Sequence, residues 1–370
     1  MKKLILNIGQ EAVVGVIYEA AGKTKSLRRV FEIPCIDYYN NMGRLDIVRI
    51  VSSMKKAMPR DVRSLDIDLI LPTYVTDVEY VDAIEDQYND HDEKNEKNKK
   101  KGLQNKVEKT VFIGESQTRR VNQKIVFNIK ELNAIVTAFH KENLNVVRAL
   151  SNASCYHNFM AAFNATDAYG ADFKAHICMV WGISKISYII MLGNLPVEMY
   201  SSNYKLTDSY QDLSAMGCNL PLSQVIKVMN SFYLTPDPDA GLILEHNSNM
   251  IMDGSRTIEL ADAEIALIEN VFYSFVTGLV DEIRNVADYV RNKYTTGNIN
   301  ICTNSKLLDE CLCKSISESY PIEYLNVKEK IEIYNDRITL KSIPDLNDRY
   351  VPILGCVVDG IKKGSDFYDA

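Results

Sequence analysis

The chain has 370 residues, which at roughly 150 residues per domain predicts two domains or three. With 46% hydrophobic and 25% charged residues it has the make-up of an ordinary globular protein, and 42 Lys and Arg against 49 Asp and Glu leave a net charge of -7. That balance excludes a strongly basic nucleic-acid binder, because neutralising phosphates needs a cationic surface.

The opening Met-Lys-Lys-Leu-Ile-Leu has the charge of a signal n-region, but polar Asn7, Gly9 and Gln10 cut its apolar core short. Gly9 separates the run at 4–8 from a second one at 12–18, and Gly22-Lys23-Thr24 punctuates the return through 27–33. Strand, turn, strand, turn, strand is a meander. Residues 44–57 place apolar groups at 45, 47, 48, 50, 51 and 54, a helix with one buried face. A further strand at 67–71 is stopped by Pro72.

Between Asp82 and Lys109 the composition changes to an acidic block followed by a basic one, with almost no apolar residue. Such a stretch buries too little surface to fix itself. Its basic part would suit an anionic membrane surface, but the adjoining acids argue for a solvated loop. Order resumes at 111–113 and 124–127, then a helix at about 129–142 and a strand at 144–149. The opening pattern recurs at 175–182, a strand closing on Gly182. A strand at 184–192, the turn Gly193-Asn194 and a return strand at 197–200 follow. Helices are predicted at 207–216 and 221–232, a loop at 236–241 and a long helix at 260–293. After them come a strand at 298–302, a helix at 305–317, a strand near 322–325 and a last element at 351–358. Apolar runs such as 186–192 are strand-length, well short of the roughly 20 residues that span a bilayer. The expectation is a soluble, cytoplasmic protein whose two halves repeat one layout.

Eight cysteines are too sparse for a disulfide scaffold in a chain this long, and most sit in apolar segments, as Cys178, Cys302 and Cys356 do. Cys311 and Cys313 on one helix would project in different directions. The five histidines lack zinc-binding spacing. No metal site is expected, and no G-x-S-x-G elbow marks a nucleophilic serine.

A strand ending in a glycine turn that feeds a hairpin, once per half, can offer backbone N–H groups to phosphates across a cleft, with carboxylates at the strand ends holding magnesium. The segments 6–14 and 179–187 resemble the two phosphate strands of the PilM family, actin-like proteins of type IV pilus assembly related to FtsA. Residues 281–290 are similar to that family's Glu-Ile-Arg helix, and 350–358 to its terminal helix. The resemblance implies an α/β actin-like ATPase fold of two duplicated ribonuclease H-like lobes with a small inserted α+β subdomain. It divides the chain into 1–73 and 151–173 for the first lobe, 74–150 for the insert, 174–345 for the second lobe, and 346–370 for a C-terminal helix returning to the first.

By the same resemblance the nucleotide site, if retained, comprises Asn7, Gly9, Gln10, Gly182, Ser184, Lys185, Glu282, Arg284, Thr303, Asn304 and Ser305. The departures are consistent. Asn7 and Val180 stand where the family carries carboxylates, and Thr303-Asn304-Ser305 replaces a glycine loop that lets backbone approach adenosine. Mg·ATP binding is therefore expected to be weak or lost, and Asn7→Asp with Val180→Asp to strengthen it. Gly9 and Gly182 fit a phosphate loop or an ordinary hairpin; Lys185 fits a phosphate contact or a solvated strand edge. Glu282 and Arg284 fit a base pocket or an exposed helix pair, Ser184 a phosphate turn or a strand start. Trp181, the only Trp, reads as core or as a filler of nucleotide space.

Two functions remain in view. One is a scaffold at the inner face of the cell membrane that holds a short cytoplasmic peptide of a PilN-type membrane protein against the insert. It would join other pilus components, touch the membrane only through its partner, and bind no nucleic acid. The other is an active ATPase or kinase of the superfamily, which needs the missing carboxylates; a filament-forming relative has no discriminating feature here.

Overall fold

The structure, a computed structural model, describes residues 1–21, 24–82, 106–115, 120–164, 174–237, 241–246, 250–253, 256–294, 298–303, 338–341, 348–357 and 368–369. The predicted helix at 305–317 and strand at 322–325 lie outside these residues.

The first lobe is built on the expected meander: β1 (Lys2–Ile8), β2 (Ala12–Ala21) and β3 (Thr24–Pro34), paired antiparallel. On the other side of β1, β4 (Ile67–Leu71) and then β8 (Val146–Ser151) join in parallel. All five residues of β4 are buried, as a strand covered on both faces must be. Asp68 on β4 is therefore a carboxylate in the core, and it is neutralised there by Lys3 and Arg148. One side is covered by α1 (Ile47–Ala57), which begins where the Asp46 side chain accepts the Arg49 N–H at 3.1 Å and buries Ile50, Val51 and Met54. Against β4 and β8 packs α3 (Asn152–Asn164), which the sequence pattern does not announce. Short strands β17 (Ile338–Lys341) and β18 (Tyr368–Asp369) extend the sheet to the order β17-β3-β2-β1-β4-β8-β18.

The second lobe repeats this core. Strands β9 (Lys174–Val180), β10 (Ser187–Leu192) and β11 (Leu195–Ser201) form an antiparallel meander, and β16 (Asn298–Thr303) adds in parallel to β9. The order β11-β10-β9-β16 matches β3-β2-β1-β4. That correspondence, with the same strand directions, is the duplication expected of an actin-like fold of ribonuclease H-like lobes.

Between β4 and β8 stands the insert: β5 (Thr76–Asp82), β6 (Lys106–Glu115) and β7 (Arg120–Asn128) in the order β5-β7-β6, backed by α2 (Ile129–Lys141). Strict alternation of buried and half-buried residues along β7 shows a sheet with one packed face. β6 begins at Lys106, inside the charged run read as a solvated loop, because pairing with β7 recruits polar residues as well as apolar ones; residues 83–105 of that run lie outside the described residues.

In the second lobe α4 (Leu206–Ala215) and α5 (Leu222–Met229) precede two hairpins, β12 (Phe232–Asp237) with β13 (Gly241–His246) and β14 (Met250–Asp253) with β15 (Arg256–Glu259). Residues 236, 237 and 241 of the predicted loop are thus strand residues, with Pro236 opposite Leu242 on a strand that, among the described residues, pairs only with β13; 238–240 lie outside the described residues. The long helix is α6 (Asp262–Tyr294). An 18-residue window of it has mean hydropathy 1.4, long and apolar enough to cross a membrane by length and composition. This corrects the expectation that no stretch would qualify. Here it is a core helix, burying Ile265, Ile268, Phe272, Phe275, Val276 and Leu279 along one face. Finally α7 (Val351–Val357) packs on α3, so closely at Gly355 that a Cβ there would overlap the Cys155 carbonyl.

Candidate functional site

The turn after β1 and the turn after β9 face one another across a cavity of about 200 Å³. Asn7, Gly9, Gln10 and Glu11 line it from the first lobe, and Trp181, Gly182 and Ser184 from the second. Of the sequence-predicted residues, the structure therefore brings together Asn7, Gly9, Gln10, Gly182 and Ser184. Lys185 points away: its ammonium pairs with Asp77 and donates to the Thr76 carbonyl at 3.2 Å, tying the second hairpin to β5. Glu282 lies on α6 outside the cavity lining and accepts from Tyr188 Oη at 2.8 Å, the Asn203 N–H at 2.9 Å and Ser202 Oγ. Arg284 is an exposed helix residue 3.4 Å from Asp281. Thr303 ends β16, and Asn304 and Ser305 fall outside the described residues.

The first hairpin is filled by polar side chains of its own lobe. Asn7, 2% exposed, donates its Nδ2 to the Arg349 carbonyl at 3.0 Å and receives Asn152 Nδ2 at 3.5 Å. The Arg349 guanidinium binds Glu11 at 2.7 Å and also pairs with Glu32, to which Tyr350 Oη donates at 3.4 Å. Burial opposes charge on Arg349, but the bonds to Glu11 and then Glu32 outweigh it and hold its pKa above the ordinary value. Beneath the turn, the Cys35 thiol donates to the carbonyls of Gly9 and Gln10 at 3.3 and 3.1 Å. Burial first, then the neighbouring Glu11, push that thiol well above its usual range, so it is a clamp and not a nucleophile.

The second hairpin is filled by apolar ones. Val180 is 1% exposed, and Trp181 stacks edge-on to Phe275 with ring centroids 5.7 Å apart. Gly182 is required by close approach of the lobes: a Cβ there would overlap Thr73 Oγ1 and the Lys185 carbonyl. At Gly9 a Cβ would stand 2.8 Å from the Ala12 carbonyl, which already accepts the Gly9 N–H at 3.1 Å.

Mg·ATP, the ligand the fold implies, does not fit these residues. Asn7 presents an amide donor to a backbone carbonyl, Val180 offers no oxygen, the Gly9 N–H is used within its turn, and Glu11 places a carboxylate beside it. Among the described residues no group of three or more His, Cys, Asp or Glu is placed to hold a metal. Simple reversion would not mend this. A carboxylate at position 7 would meet the Arg349 carbonyl without a proton to donate, and one at 180 would be buried among apolar neighbours.

Sequence reasoning missed Arg349 and Asn152. Each belongs to a distant segment, 342 and 145 residues from Asn7, and a single sequence carries no signal for such pairing; the polar Asp348-Arg349 step before an apolar helix was the one local hint.

No protein-family model and no curated protein sequence matches the chain. Among solved structures, the PilM-PilN type IV pilus biogenesis complex aligns over 98% of this chain and 99% of that one, with TM-score 0.63 and 11% identity. The chain has the PilM fold. MreB 5 of Spiroplasma citri bound to AMPPNP matches more loosely, at TM-score 0.42 and 13% identity over 90% of this chain and 96% of that one. So does a Bacteroides thetaiotaomicron protein of actin-like ATPase fold, at TM-score 0.40 and 6% identity over 96% of each chain. At such identities the PilM likeness concerns backbone architecture, and the side chains that fill the cleft are this chain's own.

Proposed function

We propose that this PilM-like chain is a non-catalytic cytoplasmic scaffold of a pilus or related secretion machine. It holds a short peptide from a PilN-type inner-membrane protein between the insert and the neighbouring lobe, meets other assembly components, and reaches the membrane only through that partner. Mg·ATP binds weakly or not at all. The observation that supports this most is the pair of filled hairpins: a fold that normally closes on a metal–triphosphate is here packed by Asn7–Arg349–Glu11 on one side and Val180–Trp181 on the other, while the insert keeps its own sheet and helix.

The test has two arms. Cross-linking mass spectrometry on complexes captured from detergent-solubilised membranes should place the cytoplasmic segment of a membrane protein against β5, β7 or α2. Phosphate release from Mg·ATP should stay at the uncatalysed level. Turnover, or captured complexes that never touch the insert, would remove the reading.

A further inference from the structure

We propose that the cavity between the two hairpins takes an uncharged planar heterocycle bearing N–H donors, of nucleobase or nucleoside size, with Gln10 and Asn152 as its acceptors. This rests on the reading above that the cleft has lost its metal–triphosphate groups, and says what replaces them.

Four observations converge. The first is size: about 200 Å³ is below the roughly 300–1,000 Å³ usual for ligand pockets, enough for a base or nucleoside and cramped for a triphosphate. The second is charge. The Arg349 guanidinium is held between Glu11 and Glu32 and the Lys185 ammonium is turned to Asp77. An anion entering beside Glu11 would meet repulsion and only cations that already have partners.

The third is the pattern of hydrogen-bonding groups. Gln10 Oε1 and Asn152 Oδ1 are buried oxygens with no donor from the protein, and both residues line the cavity. Asn152 is 6% exposed. Two neutral acceptors call for N–H or O–H groups on a neutral ligand; a cation there would lack a counter-charge, because Glu11 is already paired. Gln10 stands on the turn between β1 and β2 and Asn152 at the start of α3, so the two acceptors come from separate elements. The fourth is the wall: Tyr39, Tyr74 and Pro72 from one lobe and Trp181 from the other supply flat apolar faces.

Trp181 is the only tryptophan of the chain and lines the cavity, so its emission reports occupancy directly. The full chain is titrated with adenine and with adenosine in the absence of metal, then with ATP and Mg²⁺. The same titrations follow on Gln10→Met and Asn152→Leu, with melting curves for each. The proposal expects a saturable change with one or both uncharged ligands, the pair separating free base from nucleoside. Each variant should lose about tenfold in affinity, the worth of one neutral hydrogen bond. Gln10→Met keeps the test valid if Asn152→Leu does not fold. No response to either ligand, or unchanged affinity in every folded variant, overturns the proposal and leaves the scaffold reading standing. Binding of Mg·ATP tighter than adenosine overturns both.

Discussion

The two hairpins share one topology and differ in what fills them. In the first lobe the space after the glycine holds a polar network in which Arg349 joins Glu11 and Glu32 and Asn7 caps the Arg349 carbonyl. In the second it holds Val180 and an indole against Phe275. The same position in the two lobes is thus filled in two ways: compensated charge on one side, hydrophobic packing on the other. The first costs desolvation and returns modest stability because the ions are partly exposed. The second contributes directly through buried area and dispersion. The second hairpin should therefore carry far more of the stability.

The sharpest way to break that contrast is Trp181→Ala. A buried aromatic replaced by Ala costs about 3–5 kcal/mol, read as a lower midpoint in denaturant by circular dichroism, since the variant has no other indole. A cost near zero would mean that the second hairpin is not packed. Next comes Gly182→Ala, whose Cβ would overlap Thr73 Oγ1 and the Lys185 carbonyl; overpacking of this kind costs about 1–3 kcal/mol. Gly9→Ala meets one carbonyl at 2.8 Å within its own turn, and the melting temperature should fall less.

Acid should loosen the first lobe selectively. His157 on α3 is buried with Tyr80 Oη 3.0 Å from its Nδ1, and burial pushes its pKa down from the usual 6.5 to about 3. It stays neutral in the folded state, while the unfolded chain protonates below 6.5. Its contribution is thus complete above that value and falls by about 1.4 kcal/mol per pH unit on acidification toward 3. Denaturant titrations from pH 7 to pH 4 should show this slope, and His157→Gln should flatten it. The smallest effect is expected for Arg349→Ala. Its side chain is 39% exposed, so screening limits the loss to about 1 kcal/mol, and added salt should shrink the difference from wild type.

Much of the fold was legible in one sequence because it is written locally. The meanders rest on alternating apolar runs broken by Gly9 and Gly193, and α6 on a long helical repeat with charges along its outer face. What stayed hidden was non-local. Strands β5 and β15 carry no continuous apolar run and are held by the strands that pair with them; α3 reads as weakly amphipathic because it is buried on most sides. The site divided the same way. Asn7 and Val180 stood out as departures beside the glycine turns at Gly9 and Gly182, whereas the engagement of Lys185 with Asp77 and of Glu282 with Tyr188, Ser202 and Asn203 depends on partners about 80 to 108 residues away.

The most direct measurement of the two occupied hairpins is isothermal calorimetry of ATP with Mg²⁺ into the 370-residue chain, repeated with EDTA. If both hairpins are occupied by the protein's own side chains, no binding isotherm develops up to millimolar nucleotide and the metal makes no difference. A micromolar, magnesium-dependent isotherm would contradict it outright.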